Sequence, residues 1–169
     1  MKAPLVRLRA MEPEDLDLLY KIENDSALWG IGTTNVPYSR YALHDYIAHS
    51  ANDIYADKQV RFMVDNAQGQ TVGIVDVVNF CPEHSRAELG IVILQAFRGQ
   101  GYAASAISKA VEYARGVIHL HQLYAVIAQS NSHCLQIFRT LGFRECGTLS
   151  DWLCKGTTYE SASIMQLFL

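Results

Sequence analysis

The chain has 169 residues, half of them hydrophobic and 18% charged, with a formal net charge of −3. That composition suits one globular domain with a sizeable core, and the net negative charge argues against a nucleic-acid partner. No apolar run approaches the roughly 18 residues of a membrane-crossing helix, so no membrane partner is expected.

In chain order, "LVRLRA" (5–10) alternates as a first strand. Pro13 suits the first turn of a helix, with Glu14 and Asp15 at its favourable end and Leu16, Leu19 and Tyr20 on one stripe. "SRYALHDYIAHSA" (39–51) predicts a second helix. Residues 59–65 and 71–80 read as two strands around a glycine-containing hairpin loop, and "RAELGIVIL" (86–94) as a third. A helix over about 102–115 places Ala103, Ala106, Ile107, Ala110, Ala114 and Val117 on one stripe. "QLYAVIA" (122–128) is nearly all apolar, as a strand covered on both faces would be. Asn131 can cap a helix that Gly142 ends, and residues 144–154 and 158–169 finish as two strands around Lys155-Gly156. No linker, repeat or low-complexity tract divides the chain, so residues 1–169 read as one α/β (α+β) domain. Its sheet is mixed but mainly antiparallel, of about seven strands flanked by four helices, with a parallel pair from the crossover over 86–128.

The four cysteines (Cys81, Cys134, Cys146, Cys154) lack C-x-x-C spacing, and His119-Leu120-His121 has no other ligand type near it. Reduced thiols in a cytoplasmic chain without a metal site are expected. The segment Met1–Ala10, which has no signal-peptide core, agrees. Charge is uneven: residues 1–57 hold nine acids against five bases, while 58–169 balance at +1. This skew is either a solvated helix face or the border of a site for a cation.

The segment "LQAFRGQGYAASAI" (94–107) carries the chemistry. Its Gly99-x-Gly101-x-x-Ala104 spacing fits a dinucleotide fingerprint, which demands glycines directly after a strand and an acid about 20 residues on. Four residues intervene before Gly99, and His121 and Gln122 stand where the acid should be. A nicotinamide enzyme is therefore disfavoured. What remains is two glycines that let successive N–H groups turn inward at a helix N-terminus, an anion cradle suited to a pyrophosphate.

Arg98-Gly99-Gln100-Gly101-Tyr102-Ala103 together with Asn131, Cys134, Gly142 and Phe143 resembles the Gcn5-related N-acetyltransferase (GNAT) superfamily. The order of elements resembles that fold along essentially the whole chain. "LRAMEPEDLDLLYKIEND" and "LHQLYAVIAQSN" are similar to polyamine (spermidine/diamine) acetyltransferases and to those acting on ribosomal-protein N-termini. The resemblance implies acetyl-CoA as cosubstrate, a small cationic amine or peptide N-terminus as acceptor, and a homodimer or larger homo-oligomer. It implies that amides from Arg98 to Ala103, including those of Gly99, Gln100, Gly101 and Tyr102, hold the pyrophosphate. Ile91, Val92 and Ile93 would pair with the pantetheine arm, and Asn131 and Phe138 would border it.

The implied chemistry is direct attack of an amine on the thioester, with Glu88 as candidate general base and the Ile91 N–H as oxyanion donor. The alternative for Glu88 is an ion pair with Arg61 or Arg86. Many family members carry a proton-donating tyrosine where this chain has Phe138. Tyr124 and Tyr159 are candidate replacements, and the same departure admits a coenzyme A-binding domain without turnover. Cys134 at a helix start is a less favoured nucleophile and reads better as a small packed residue. Trp29, Tyr38 and Tyr41 either line the acceptor pocket or pack the first two helices.

Overall fold

The computed structural model describes residues 3–26, 28–29, 36–51 and 53–169. Among the described residues seven strands form one sheet: β1 (Val6–Arg9), β2 (Val60–Asn66), β3 (Thr71–Cys81), β4 (Arg86–Ile93), β5 (Gln122–Ala128), β6 (Arg144–Lys155) and β7 (Thr158–Phe168). Their spatial order is β1-β2-β3-β4-β5-β7-β6, with every neighbouring pair antiparallel except β4–β5. The β2–β3 turn closes on Asn66, whose Oδ1 accepts from the N–H groups of Gln68 and Gln70.

Pro13 opens one turn of 3-10 helix that runs into α1 (Leu16–Glu23), since proline needs no N–H at a helix start. Ser39 caps α2 (Arg40–His49) by accepting from the Ala42 N–H. The helix count of four gains a member, α3 (Ile54–Asp57). It is a single turn, too short for an apolar period to reveal, held by Asp53 accepting from the Tyr55 N–H at 2.9 Å. The remaining helices are α4 (Tyr102–Gly116) and α5 (Ser132–Thr140). Ala106, Ile107, Ala110 and Ala114 bury the α4 stripe, but Val117 lies just past the helix end and is exposed.

The two faces of the sheet are covered separately. Ala87, Leu89 and Ile93 of β4 join α4 and α5 in the main core. Met63 and Ile74 pack with Leu19, Ile22 and Leu43 of α1 and α2, and Val92 lies against that second cluster. Because side chains alternate along a strand, Glu88 and Gly90 share the α1/α2 face with Val92. Arg9 ties the chain start to this frame, donating to Asp15 at 2.7 and 2.8 Å and to Asp65 at 2.7 Å.

Candidate active site

The site begins where two strands part. β4 and β5 pair only over Arg86↔Gln122, Ala87↔Leu123 and Glu88↔Tyr124. Beyond that point β4 stays on β3 to Ile93, and β5 stays on β7 to Ala128. The Leu94 N–H bonds the Val72 carbonyl, and bonded and non-bonded pairs alternate in an antiparallel ladder. By that alternation Gly90 and Val92 give their backbone groups to β3, whereas Ile91 and Ile93 turn theirs to the gap. On the opposite side the Gln129 N–H bonds the Ser161 carbonyl, which turns the backbone groups of Val126 and Ala128 to the gap as well. The cleft so formed has a volume of about 1130 Å³. It is lined by β4 from Glu88 onward, the end of β5, the glycine loop and the first turns of α4 and α5.

At one end of the cleft Gly99 (φ +74°) and Gly101 (φ +86°) hold left-handed backbone that side chains resist, and Gly101 caps α4. A Cβ on Gly99 would meet nothing within 4 Å, so the space over the loop is open. A Cβ on Gly101 would sit 3.0 Å from the Pro4 Cδ. The Arg98 Nε donates to the Ile93 carbonyl at 2.9 Å, which pins the loop to the end of β4. Gln100 spends its amide on the Ala96 carbonyl and its side chain lies outside the lining, while Tyr102 and Ala103 face the cleft. An open glycine cradle at the positive end of a 15-residue helix fits a pyrophosphate, and the gap-side backbone of Ile91 and Val126 fits an extended amide-bearing arm.

At the fork itself, half-buried Glu88 accepts a hydrogen bond from the Asn79 Nδ2 at 2.8 Å. The Tyr124 phenol lies against it; burial raises the phenol's pKa, and the negative charge of Glu88 adds to the rise. Arg61, one of the partners considered for Glu88, is engaged elsewhere. It donates to Asp76 at 2.7 and 2.9 Å and pairs with Glu23 of α1.

Asn131 caps α5, its Oδ1 accepting from the Cys134 N–H at 3.1 Å, and it also lines the cleft. Phe138 is 1% exposed, packs edge-on against Phe143 with ring centroids 4.8 Å apart, and forms part of the wall. Burial pushes the Cys134 thiol up to about 11, the opposite of an activated nucleophile. Tyr159 stands apart from the cleft of its own chain: it is 65% exposed on the β6–β7 hairpin, opposite Cys154. Its hydroxyl is not part of the cleft lining. Trp29, Tyr38 and Tyr41 are outside the lining; the Trp29 Nε1 donates to the Glu23 carbonyl, and Tyr41 is 80% exposed.

The acidic skew of residues 1–57 is in large part taken up locally. Asp15 pairs with Arg9, Asp17 with Arg40 and Glu23 with Arg61, while Asp45 lies beside His49. Asp53 caps α3, and Asp57 accepts from the Ala51 N–H. Asp25 of this group lines the cleft together with Lys21. Sequence reasoning did not find Asn79; its one signal is an asparagine late in a mostly apolar strand, a position where asparagine is depleted.

Residues 6–144 match the acetyltransferase (GNAT) domain family. The spermidine N(1)-acetyltransferase of Escherichia coli (strain K12) is 30% identical over 165 residues, covering 96% of this chain and 86% of that protein. Its Vibrio cholerae counterpart is 26% identical over 161 residues, covering 95% and 91%. The crystal structure of spermidine N-acetyltransferase from V. cholerae in complex with CoA and spermine superposes with a TM-score of 0.87 at 24% identity, covering 96% of this chain and 95% of that one. A dodecameric structure of the V. cholerae enzyme gives 0.81 at 27% identity, covering 96% and 93%.

Proposed function

This chain belongs to the GNAT acetyltransferase family and is an acetyl-CoA-dependent N-acetyltransferase, and we propose that its acceptor is a primary amine of a polyamine such as spermidine or spermine. The observation that carries this reading is the parting of β4 from β5 beyond Glu88 and Tyr124, with the glycine cradle at the far end of the same cleft.

When bound, acetyl-CoA supplies a thioester whose carbonyl carbon is open to attack by an amine. In our reading the amides of Arg98–Ala103 hold its pyrophosphate, and Ile91 and Ile93 offer gap-side backbone groups to its arm. Asn131 and Phe138 close the α5 side. Glu88 takes the proton of the acceptor amine, whose lone pair forms the C–N bond while the C–S bond breaks. The Ile91 N–H, on the gap side of its strand, donates to the oxygen on which charge gathers. With no phenol at position 138 the electron pair leaves on sulfur as thiolate. A thiol pKa of about 8.5 makes that tolerable, and the positive end of α5 lies along the cleft wall. Water then returns the proton to sulfur.

The polyamine acceptor is supported by the named relatives and by the charge of the α1/α2 face. There Glu88 neighbours the cluster of Arg61 with Asp76 and Glu23, two carboxylates against one guanidinium. A protein N-terminus is the other acceptor class. A thiol-release assay with acetyl-CoA over spermine, spermidine, short diamines and N-terminal peptides separates the two.

We take residues 1–169 as one catalytic domain in a cytoplasmic homo-oligomer. The single continuous sheet supports the first part, and the unpaired cysteines support a reducing compartment. The dodecameric relative and the exposed edge strand β6, with Trp152 57% exposed, support assembly. Among the described residues no helix is long and apolar enough to cross a membrane.

A further inference from the structure

β3 contains an irregularity directly beside Glu88. Its register with β4 runs regularly to Val78↔Glu88 and resumes at Cys81↔Arg86. Asn79 and Phe80 therefore oppose Ala87 alone, which is a β-bulge. Asn79 has φ +51°, left-handed backbone that asparagine tolerates better than other residues with a side chain. The bulge is anchored on both sides. The Phe80 N–H bonds the Lys58 carbonyl at 3.1 Å, and the Phe80 ring is buried in the main core. What this distortion achieves locally is to bring the Asn79 amide to 2.8 Å from a Glu88 carboxylate oxygen. From the other neighbouring strand, the parallel register places Tyr124 beside Glu88 as the last rung before the cleft opens.

We infer that Asn79 on β3 and Tyr124 on β5 are positioning residues that clasp the Glu88 carboxylate from both sides of β4 and fix its direction at the mouth of the fork. The inference rests on the reading of Glu88 as the base. Asn79 presents an amide N–H to Glu88 and so fixes one of its carboxylate oxygens. Tyr124 keeps its proton at neutral pH because burial and the Glu88 charge oppose its ionisation, so it faces the carboxylate as a neutral phenol with a proton to donate. The other charged or titratable groups near this fork are Arg86, two residues away on β4, the cluster of Arg61 with Asp76 and Glu23 on the same face, and Asp25 and Lys21, which line the cleft.

The test is kcat and KM for spermidine, with acetyl-CoA saturating, alongside a thermal melt. Asn79→Gly keeps the left-handed backbone and removes the donor; Tyr124→Phe removes the hydroxyl alone. We expect kcat to fall by about tenfold in each with KM for spermidine little changed, since a base out of line slows proton transfer rather than binding. The melting temperature should be nearly unchanged in Tyr124→Phe. A kcat that is unchanged in both, while Glu88→Gln still loses at least about 100-fold in kcat, would overturn the positioning role and leave Glu88 as the base. An unchanged kcat in Glu88→Gln would overturn both the base and, with it, its positioning.

Discussion

Glu88 and Tyr124 are the last paired residues of the parallel β4–β5 ladder, and the cleft opens directly beyond them. Glu88→Gln therefore tests a group at the fork rather than one buried in the sheet. It should lower kcat by about 10²- to 10⁴-fold, the usual worth of a general base. The residual activity should rise toward higher pH, where the acceptor amine loses its proton unaided. A pH–rate profile measured on both proteins with spermidine reads both effects, and an unaltered profile would clear Glu88 of the base role.

The glycine loop makes a separable prediction. A Cβ at Gly99 touches nothing in the protein, so Gly99→Ala acts through its left-handed backbone and through crowding of the cradle. The strain is about 1–2 kcal/mol. That strain lowers stability, while the added methyl crowds the cradle, so we expect KM for acetyl-CoA to rise by roughly tenfold with kcat at saturation little changed. Equal falls in kcat and kcat/KM would show that the loop acts in the chemical step instead.

Much of this site was legible because its logic is local. Arg98 to Ala103 and Asn131 lie at helix starts, where the residue types needed for a turn or a cap are the ones a phosphate or coenzyme site also needs. The strands announced themselves through apolar alternation. The one-turn helix Ile54–Asp57 did not, because a single turn has no period to detect. Contacts between strands were hidden for a different reason. Which residue meets Glu88 depends on the register of β3 against β4 and on a one-residue bulge, and a single-residue slip turns every side chain to the other face. Arg61 was a reasonable partner for Glu88 by strand alternation alone, yet its true partners come from β3 and from α1 across the sheet.

Cys134 should be dispensable. Burial pushes its thiol up to about 11, so at pH 7.5 it is almost wholly protonated. Cys134→Ala should retain kcat within about twofold, and no acetyl-enzyme should accumulate when acetyl-CoA is mixed with the protein alone, as read by intact mass. Intersecting rather than parallel double-reciprocal plots should follow, since the amine attacks the thioester directly.

At position 138 the missing phenol can be restored. Phe138→Tyr should fold, because the change adds one hydroxyl to a ring already in the cleft wall. If thiolate leaves readily by itself, the added acid should raise kcat by no more than about tenfold, well short of the 10²- to 10⁴-fold that general acids give poor leaving groups. A gain of 100-fold would show that departure of the thiolate limits the parent enzyme.

Asp15 supplies a pH-dependent share of stability. Burial acts to raise its pKa, but the Arg9 guanidinium and the Glu12 N–H outweigh burial and hold the folded carboxyl below the ordinary aspartate value. A depressed folded pKa stabilises above the unfolded value and is lost as pH falls through the folded one. Asp15→Asn should cost about 2 kcal/mol at pH 7, and the gap between the two proteins should close below about pH 4. Urea midpoints at pH 7 and pH 3 check this.

The most direct test of the central claim is thiol release from acetyl-CoA across spermine, spermidine, short diamines and N-terminal peptides. Turnover that is strong on spermidine or spermine and absent on the peptides is the expected result. Acetyl-CoA binding by calorimetry with no turnover on any polyamine would contradict it.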